Sequence, residues 1–230
     1  MIIIHGENTI NSREKLQELI AQIKENNQTL IRFEAKELTY AQLEEALGTQ
    51  DLFTTKKAYI IEGLHSLPKS EKQKGLIDLC KKNLDSMIIL WEKRELTATM
   101  LKVFTNADTN IQIFVFKASK TLFSWLEMLG SKTQTTKKVE LLHAAIKTDG
   151  EYFCFLMLIR QFRLLIQAKT QEKIGGPPFM LAKLQKQAAQ FTLEELLQIH
   201  KNLLAIDIAQ KTSTNLLELK QELDLFTVKL

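Results

Sequence analysis

The sequence predicts an α/β half followed by an all-α half. Up to Lys117, short apolar runs rich in β-branched residues alternate with amphipathic stretches; beyond Lys117 no strand pattern survives. Only 8 Gly and 3 Pro occur among 230 residues, too few turn-formers for a many-turned β-sandwich. Met1 to His5, Leu30 to Glu34, Ala58 to Glu62, Ser86 to Trp91 and Ile111 to Lys117 read as strands. Between the first two, Asn11 to Glu25 sets Leu16, Leu19, Ile20 and Ile23 on one helical face, with Ser12 as the expected N-cap. Strand and helix alternate about five times, and the strands are apolar nearly throughout. A parallel sheet covered on both faces by helices meets both conditions.

The second half reads as helices over Leu122 to Leu129, Lys137 to Lys147, Glu151 to Thr170, Pro178 to Gln190, Leu193 to Thr212 and Leu216 to the C-terminus. Gly175-Gly176-Pro177-Pro178 ends one helix and starts the next, and Thr192 with Glu195 three residues on is a capping box. The polar stretch Gly130 to Thr136 reads as a linker.

Hydrophobic residues at 45% and charged residues at 25% are ordinary globular usage, which excludes disordered, collagen-like and disulfide-scaffold classes. Cys80 and Cys154 sit in apolar helical patterns without metal-ligand spacing, so reduced core thiols in a cytoplasmic protein are expected. Met1-Ile2-Ile3-Ile4 is too short and lacks the basic flank of a secretory leader, so none is expected. The longest unbroken apolar run, Tyr152 to Ile159, is far short of the roughly 20 residues that span a bilayer, so no membrane partner is expected. Residues 1–117 carry 16 basic and 16 acidic groups and residues 118–230 carry 15 and 11, so the net charge of +4 lies in the second half. That excess suits either a nucleic-acid-facing surface or a solvated helix face.

A doubly wound nucleotide-binding domain carries its phosphate loop between the first strand and the first helix, where helix-start amides attract anions. Here that place reads His5-Gly6-Glu7-Asn8-Thr9-Ile10-Asn11-Ser12-Arg13, with one glycine, a carboxylate and no Gly-Lys-Ser/Thr. ATP hydrolysis is not expected. Glu62 and Glu92 end apolar strands, as metal-associated carboxylates do in phosphoryl transfer, but strand-end solvation or cap pairing gives the same pattern. His5, His65, His143 and His200 are scattered without zinc or triad spacing, so no catalytic residue, metal ligand or cofactor is expected.

The unusual local feature is Leu52-Phe53 within Gly48-Thr49-Gln50-Asp51-Leu52-Phe53-Thr54-Thr55-Lys56-Lys57. A large apolar pair in so polar a connection is either a binding plug or a seal on the sheet end. As a plug, each side chain contributes roughly 1.5 to 3 kcal/mol on burial, in the range of interface hot spots.

These pieces together resemble the delta subunit family of bacterial DNA polymerase III, the clamp-loader wrench. The likeness is carried by the strand running into His5-Gly6-Glu7-Asn8, by Leu52-Phe53 ahead of Lys57-Ala58-Tyr59-Ile60-Ile61-Glu62, and by a series in the second half. That series is Leu158-Ile159-Arg160-Gln161-Phe162-Arg163-Leu164-Leu165, Pro178-Phe179 through Gln187-Ala188, Phe191-Thr192-Leu193-Glu194-Glu195-Leu196 and Asp207-Ile208-Ala209-Gln210-Lys211-Thr212.

The resemblance implies an AAA+-like parallel α/β domain over residues 1–117 without a working phosphate loop, and a helical collar over 138–230. Residues 118–137 would be a linker or vestigial lid, since family members are typically longer by a lid domain. It implies Gln50, Asp51, Leu52 and Phe53 as the contact with the sliding clamp (beta), with Thr49 where the family usually has Gln. It implies clamp opening in DNA replication without hydrolysis by this subunit, and other clamp-loader subunits (gamma/tau, delta prime) and primed DNA as partners, with Lys183, Lys186 and Lys201 near DNA. The residues alone leave two other readings: a nucleotide-dependent doubly wound enzyme using Glu62 or Glu92, and a structural adaptor in which Leu52-Phe53 is core.

Overall fold

The computed structural model describes residues 1–48, 56–105, 111–131, 133–214 and 216–230. The chain divides into two compact units, Met1–Lys117 and Ala118–Leu230.

The first unit runs β1 (Ile2–His5), α1 (Thr9–Glu25), β2 (Thr29–Glu34), α2 (Tyr40–Gly48), β3 (Lys57–Glu62), a single 3₁₀ turn (Leu64–Ser66), α3 (Glu71–Lys82), β4 (Met87–Glu92), α4 (Ala98–Thr105) and β5 (Gln112–Val115). All strand pairs are parallel, in the order β2-β3-β4-β1-β5. Alternation along the strands sorts their side chains onto two faces. Ile3, Tyr59, Ile61, Ile88 and Leu90 pack with Leu43 of α2, Leu76, Leu79 and Cys80 of α3, and Phe104 of α4. Ile4, Ala58, Ile60, Ile89 and Trp91 pack with Leu16, Leu19, Ile20 and Ile23 of α1. The three central strands are therefore buried on both sides, while the edge strands β2 and β5 are only partly covered.

Two local expectations change. Helix α1 starts at Thr9, and Asn8 rather than Ser12 caps it, the Asn8 side chain accepting from the Asn11 amide at 3.1 Å. Ser12 is inside the helix and buried, where its hydroxyl accepts a hydrogen bond from the Trp91 indole N–H at 3.2 Å. Strand β5 spans four residues instead of seven: the Phe116 N–H still donates to the His5 carbonyl at 2.8 Å, continuing the ladder, but the Phe116 carbonyl serves the β1–α1 turn, accepting from the Asn8 amide at 3.0 Å.

The second unit contains, among the described residues, α5 (Lys120–Met128), α6 (Thr135–Asp149), α7 (Glu151–Lys169), α8 (Pro178–Ala188), α9 (Leu193–Thr212) and α10 (Leu219–Lys229), and no strand. Within the stretch 118–137, α5 buries Leu122, Trp125 and Leu126, and the Trp125 indole N–H donates to Thr227 of α10 at 3.2 Å. Helix α7 is the unit's centre, burying Phe153, Cys154, Phe155, Met157, Leu158, Phe162 and Leu165. Phe162 meets Phe191 and Phe226 edge to face, with centroids at 6.0 and 5.8 Å, the arrangement that aromatic quadrupoles favour. The capping box at α9 forms as expected: Thr192 accepts from the Glu195 amide at 3.1 Å and the Glu195 carboxylate accepts from the Thr192 amide at 2.7 Å. Gln187 on α8 is buried and donates to the Leu126 and Leu129 carbonyls at 2.7 and 3.0 Å, satisfying the C-terminal end of α5.

Both cysteines are free and buried, and burial pushes each thiol up to about 12. Neither is poised for thiolate chemistry. Among the described residues no helix is long and apolar enough to cross a membrane.

Candidate functional site

In an open parallel sheet, ligands bind outside the carboxyl ends of the strands, where successive connections leave in opposite directions. Here that point lies between β1 and β4: the chain leaves β1 toward β2 and leaves β4 toward β5, on the other side. The strands end there with His5 paired in register with Glu92.

Several amides at the place of a phosphate loop are already engaged. Gly6 N–H donates to the Arg94 carbonyl at 3.2 Å, Asn8 N–H to Phe116 at 3.0 Å, Thr9 N–H to Glu7 at 2.9 Å and Ser12 N–H to Asn8 at 3.1 Å. The Asn8 side chain takes the Asn11 amide. Gly6 has a φ of +134°, and a Cβ there would lie 2.0 Å from the Phe116 carbonyl oxygen. The backbone of Phe116 thus occupies the space over the turn, and only a glycine fits beneath it. Exposed Glu7 adds a negative charge at the same place.

The two strand-end carboxylates have separate structural partners. Glu62, at the end of β3, accepts both arms of the Arg13 guanidinium from α1 at 3.1 Å each, and the Arg32 Nε from β2 at 2.5 Å. A second Arg32 nitrogen closes on the same carboxylate. Arg13 also stacks over the Trp91 ring, 3.8 Å from its centroid, a cation–π contact. Burial works to raise the Glu62 pKa, but the hydrogen bonds and charges of the two arginines outweigh it and hold the carboxyl below its usual range.

Glu92 is wholly buried. It accepts from the His65 amide at 2.6 Å and the Ser66 hydroxyl at 3.1 Å, with the His65 Nδ1 at 3.4 Å. The carboxylate therefore fastens the 3₁₀ turn after β3 to the end of β4, and Arg94 donates to the His65 carbonyl of the same turn. His5 is also buried, its Nδ1 accepting from the Leu96 amide at 3.1 Å, which assigns the proton to Nε2. Burial lowers its pKa, with Lys117 and His65 acting in the same direction and Glu95 and Glu92 opposing.

His5, His65 and Glu92, far apart in sequence, thus converge at one sheet end. All three are closed to solvent, so the arrangement braces a turn and offers a substrate no access. His143 instead pairs with Asp224 at 2.7 Å, in the second unit. Among the described residues no group of three or more His, Cys, Asp or Glu is placed to hold a metal. A cleft of about 400 Å³ remains along the carboxyl edge, between Glu34, Lys36, Glu62, Ser66, Trp91 and Lys93.

Gln50, Asp51, Leu52 and Phe53, the expected clamp contact, lie outside the described residues, in the connection from Gly48 at the end of α2 to Lys57 at the start of β3. Of the expected DNA-facing lysines, Lys183 pairs with Glu127 at 2.8 Å, and Lys186 on α8 and Lys201 on α9 are exposed. Sequence reasoning missed Arg13, Arg32 and Asn8. The partners of Glu62 stand 49 and 30 residues away from it, and only the strand order brings them together. Asn8 did carry a signal: it is an N-cap residue type standing directly before the helix.

No family model matches this chain, and no curated protein matches it. Among solved structures, the DNA clamp loader delta protein of Bacillus subtilis is similar to it, with a TM-score of 0.45 and 14% identity over 99% of this chain and 94% of that one.

Proposed function

We propose that the chain is a clamp-loader subunit of the delta type, acting by binding rather than by catalysis. The first unit would grip a sliding clamp through Leu52 and Phe53, with Gln50 and Asp51 beside them. The second unit would join partner clamp-loader subunits through helix packing, with residues 118–137 in the position of a reduced lid. The observation that carries this reading is the β1–α1 turn. A doubly wound domain whose phosphate position is filled by its own Phe116 backbone and capped by its own Asn8 is suited to a subunit that leaves hydrolysis to others. The order of the Leu52-Phe53, Leu158–Leu165, Pro178–Ala188 and Asp207–Thr212 segments supports it from the sequence side. In energetic terms the subunit would bind the open clamp better than the closed one and shift the ring toward opening by that difference.

The test is capture of the organism's own sliding clamp by immobilised protein. Wild type should retain the clamp, while the Leu52→Ala, Phe53→Ala double variant should lose it with an unchanged melting temperature. Equal capture by both proteins refutes the plug. A loss of several kcal/mol of stability in the double variant would instead place the pair in the core, as in the adaptor reading. The enzyme reading requires nucleotide binding, so ATP titrated in a calorimeter should give no saturable heat.

A further inference from the structure

The second unit carries a groove that the clamp contact does not use. It runs between α5, α7 and α8, has a volume of about 400 Å³, and is walled by Phe123, Met157, Leu164, Phe179, Met180 and Leu184. Its rim aromatics stand in water: Phe123 is 40% exposed and Phe179 is 69% exposed. On α7 the apolar surface continues past the groove through Leu156 and Tyr152, 45% and 49% exposed. Residues four apart share a row on a helix, so Tyr152, Leu156 and Arg160 form one line about 12 Å long. A lone exposed apolar residue needs no explanation, but a contiguous rimmed patch marks an interaction surface.

The charges at the rim indicate what the surface accepts. Lys183 is already bonded to Glu127, whereas exposed Arg160 has no ion-pair or hydrogen-bond partner among the described residues. The unit as a whole has four more basic than acidic side chains. An unpaired guanidinium beside an apolar trough matches a ligand with an apolar face and a carboxylate at its edge, which the planar fork can hold through two hydrogen bonds. The open walls and the extended α7 row favour a macromolecular ligand over a small molecule, because small-molecule sites enclose most of their ligand.

We propose that this groove docks an amphipathic helix of a partner protein, with large apolar side chains seated between Phe123 and Phe179 and an acidic residue paired with Arg160. This is the helix-in-groove mode of recognition, read through anchors at i, i+3 or i+4, and i+7. It deepens, and rests on, the reading that the second unit joins partner proteins through helix packing, and it is independent of Leu52 and Phe53.

The probes are two labelled synthetic helical peptides with Leu at those anchor spacings and either Glu or Lys flanking the apolar face, titrated into the full chain by fluorescence anisotropy. The Glu peptide should bind more tightly by about threefold or more, the range of a partly exposed ion pair, and added salt should narrow the gap. Arg160→Glu should reverse the preference. Phe179→Ser, at a largely exposed position, should weaken both peptides without lowering the melting temperature. The Leu52→Ala, Phe53→Ala variant should bind both as wild type does, so failure here and failure of the clamp contact are separable. Equal affinity for the two peptides, or an Arg160→Glu variant with unchanged preference, overturns the proposal. So does binding of dodecanoate with neither peptide bound. A monomer–dimer equilibrium abolished by Phe179→Ser would assign the groove to a second copy and overturn it equally.

Discussion

Replacing Glu62 by Gln removes one charge at nearly constant volume and tests whether this carboxylate is a brace or a chemical group. In the wild type it joins β3 to α1 and β2 through hydrogen bonds from Arg13 and Arg32. Each hydrogen bond to a charged group contributes about 1.5 to 3 kcal/mol net. The side chains of Arg13 and Arg32 are 34% and 48% accessible, however, so water solvates the released guanidiniums and screens much of that sum. Arg13 also keeps its place over Trp91. The expected loss is therefore about 2 kcal/mol at neutral pH, or a melting temperature lower by roughly 4 to 8 °C for a chain of this size.

The pH dependence provides an internal control. The folded-state pKa of Glu62 is lowered, so its contribution is present above the unfolded value of about 4.3 and is lost as pH falls through the folded value. Calorimetric melts of both proteins should differ at pH 7 and converge in acid. Coincident melts at pH 7, or a gap that persists when Glu62 is protonated in the wild type, would refute the brace. Arg32→Met in both backgrounds completes a double-mutant cycle, which should show a favourable coupling between the two residues.

Three further outcomes follow from the geometry. Gly6→Ala should cost about 4 kcal/mol or more, or prevent folding, because its Cβ would lie 2.0 Å from the carbonyl oxygen of Phe116, a residue whose N–H and carbonyl are both held in backbone hydrogen bonds; Gly48→Ala, with nothing within 4 Å, should melt within a few degrees of wild type. His5 has a lowered pKa in the folded state, so stability should fall as pH drops below its unfolded value of about 6.5; in chemical denaturation, His5→Asn, which keeps an acceptor for the Leu96 amide, should show a flatter dependence between pH 6.5 and 5. Gln187→Leu removes the donor to the Leu129 carbonyl and the acceptor of the Gln161 amide, and leaves the Leu126 carbonyl only the Leu129 amide at 3.4 Å; denaturant titration should show a loss of about 2 kcal/mol.

What was legible in the sequence is what depends on local pattern. Ile60-Ile61 and Ile88-Ile89-Leu90 read as continuous apolar runs because these strands are covered on both faces, with neighbours going to opposite clusters. Thr192 and Glu195 read as a capping box because both partners lie within one turn. What depends on topology was not legible. Ser12 is chemically a good cap, but its hydroxyl is held by Trp91, 79 residues away. Ile111 to Lys117 is β-rich throughout, yet the strand stops at Val115 and the Phe116 carbonyl serves the β1–α1 turn. Glu62 and Glu92 looked alike as strand-end acids; one turns out to bind two guanidiniums and the other a backbone amide and a hydroxyl.

The carboxyl end of a parallel sheet poses a physical problem that an enzyme and a binding subunit solve differently. An enzyme keeps helix-start amides and strand-end carboxylates free for phosphate and metal, and accepts the cost of groups that lack partners until substrate arrives. Here those groups are engaged from within: Asn8 takes the α1 amide, Phe116 covers Gly6, two arginines bind Glu62, and the 3₁₀ turn binds Glu92. Each internal pairing occupies a group that phosphate or metal binding would use, and adds rigidity. A rigid platform of this kind suits the proposed clamp contact, because ordering the platform in advance lowers the entropy lost when a contact is made. If the platform serves that purpose, Glu62→Gln should weaken clamp capture only to the extent that it loosens the fold, and stabilising osmolyte should restore it. A catalytic carboxylate could not be rescued in that way.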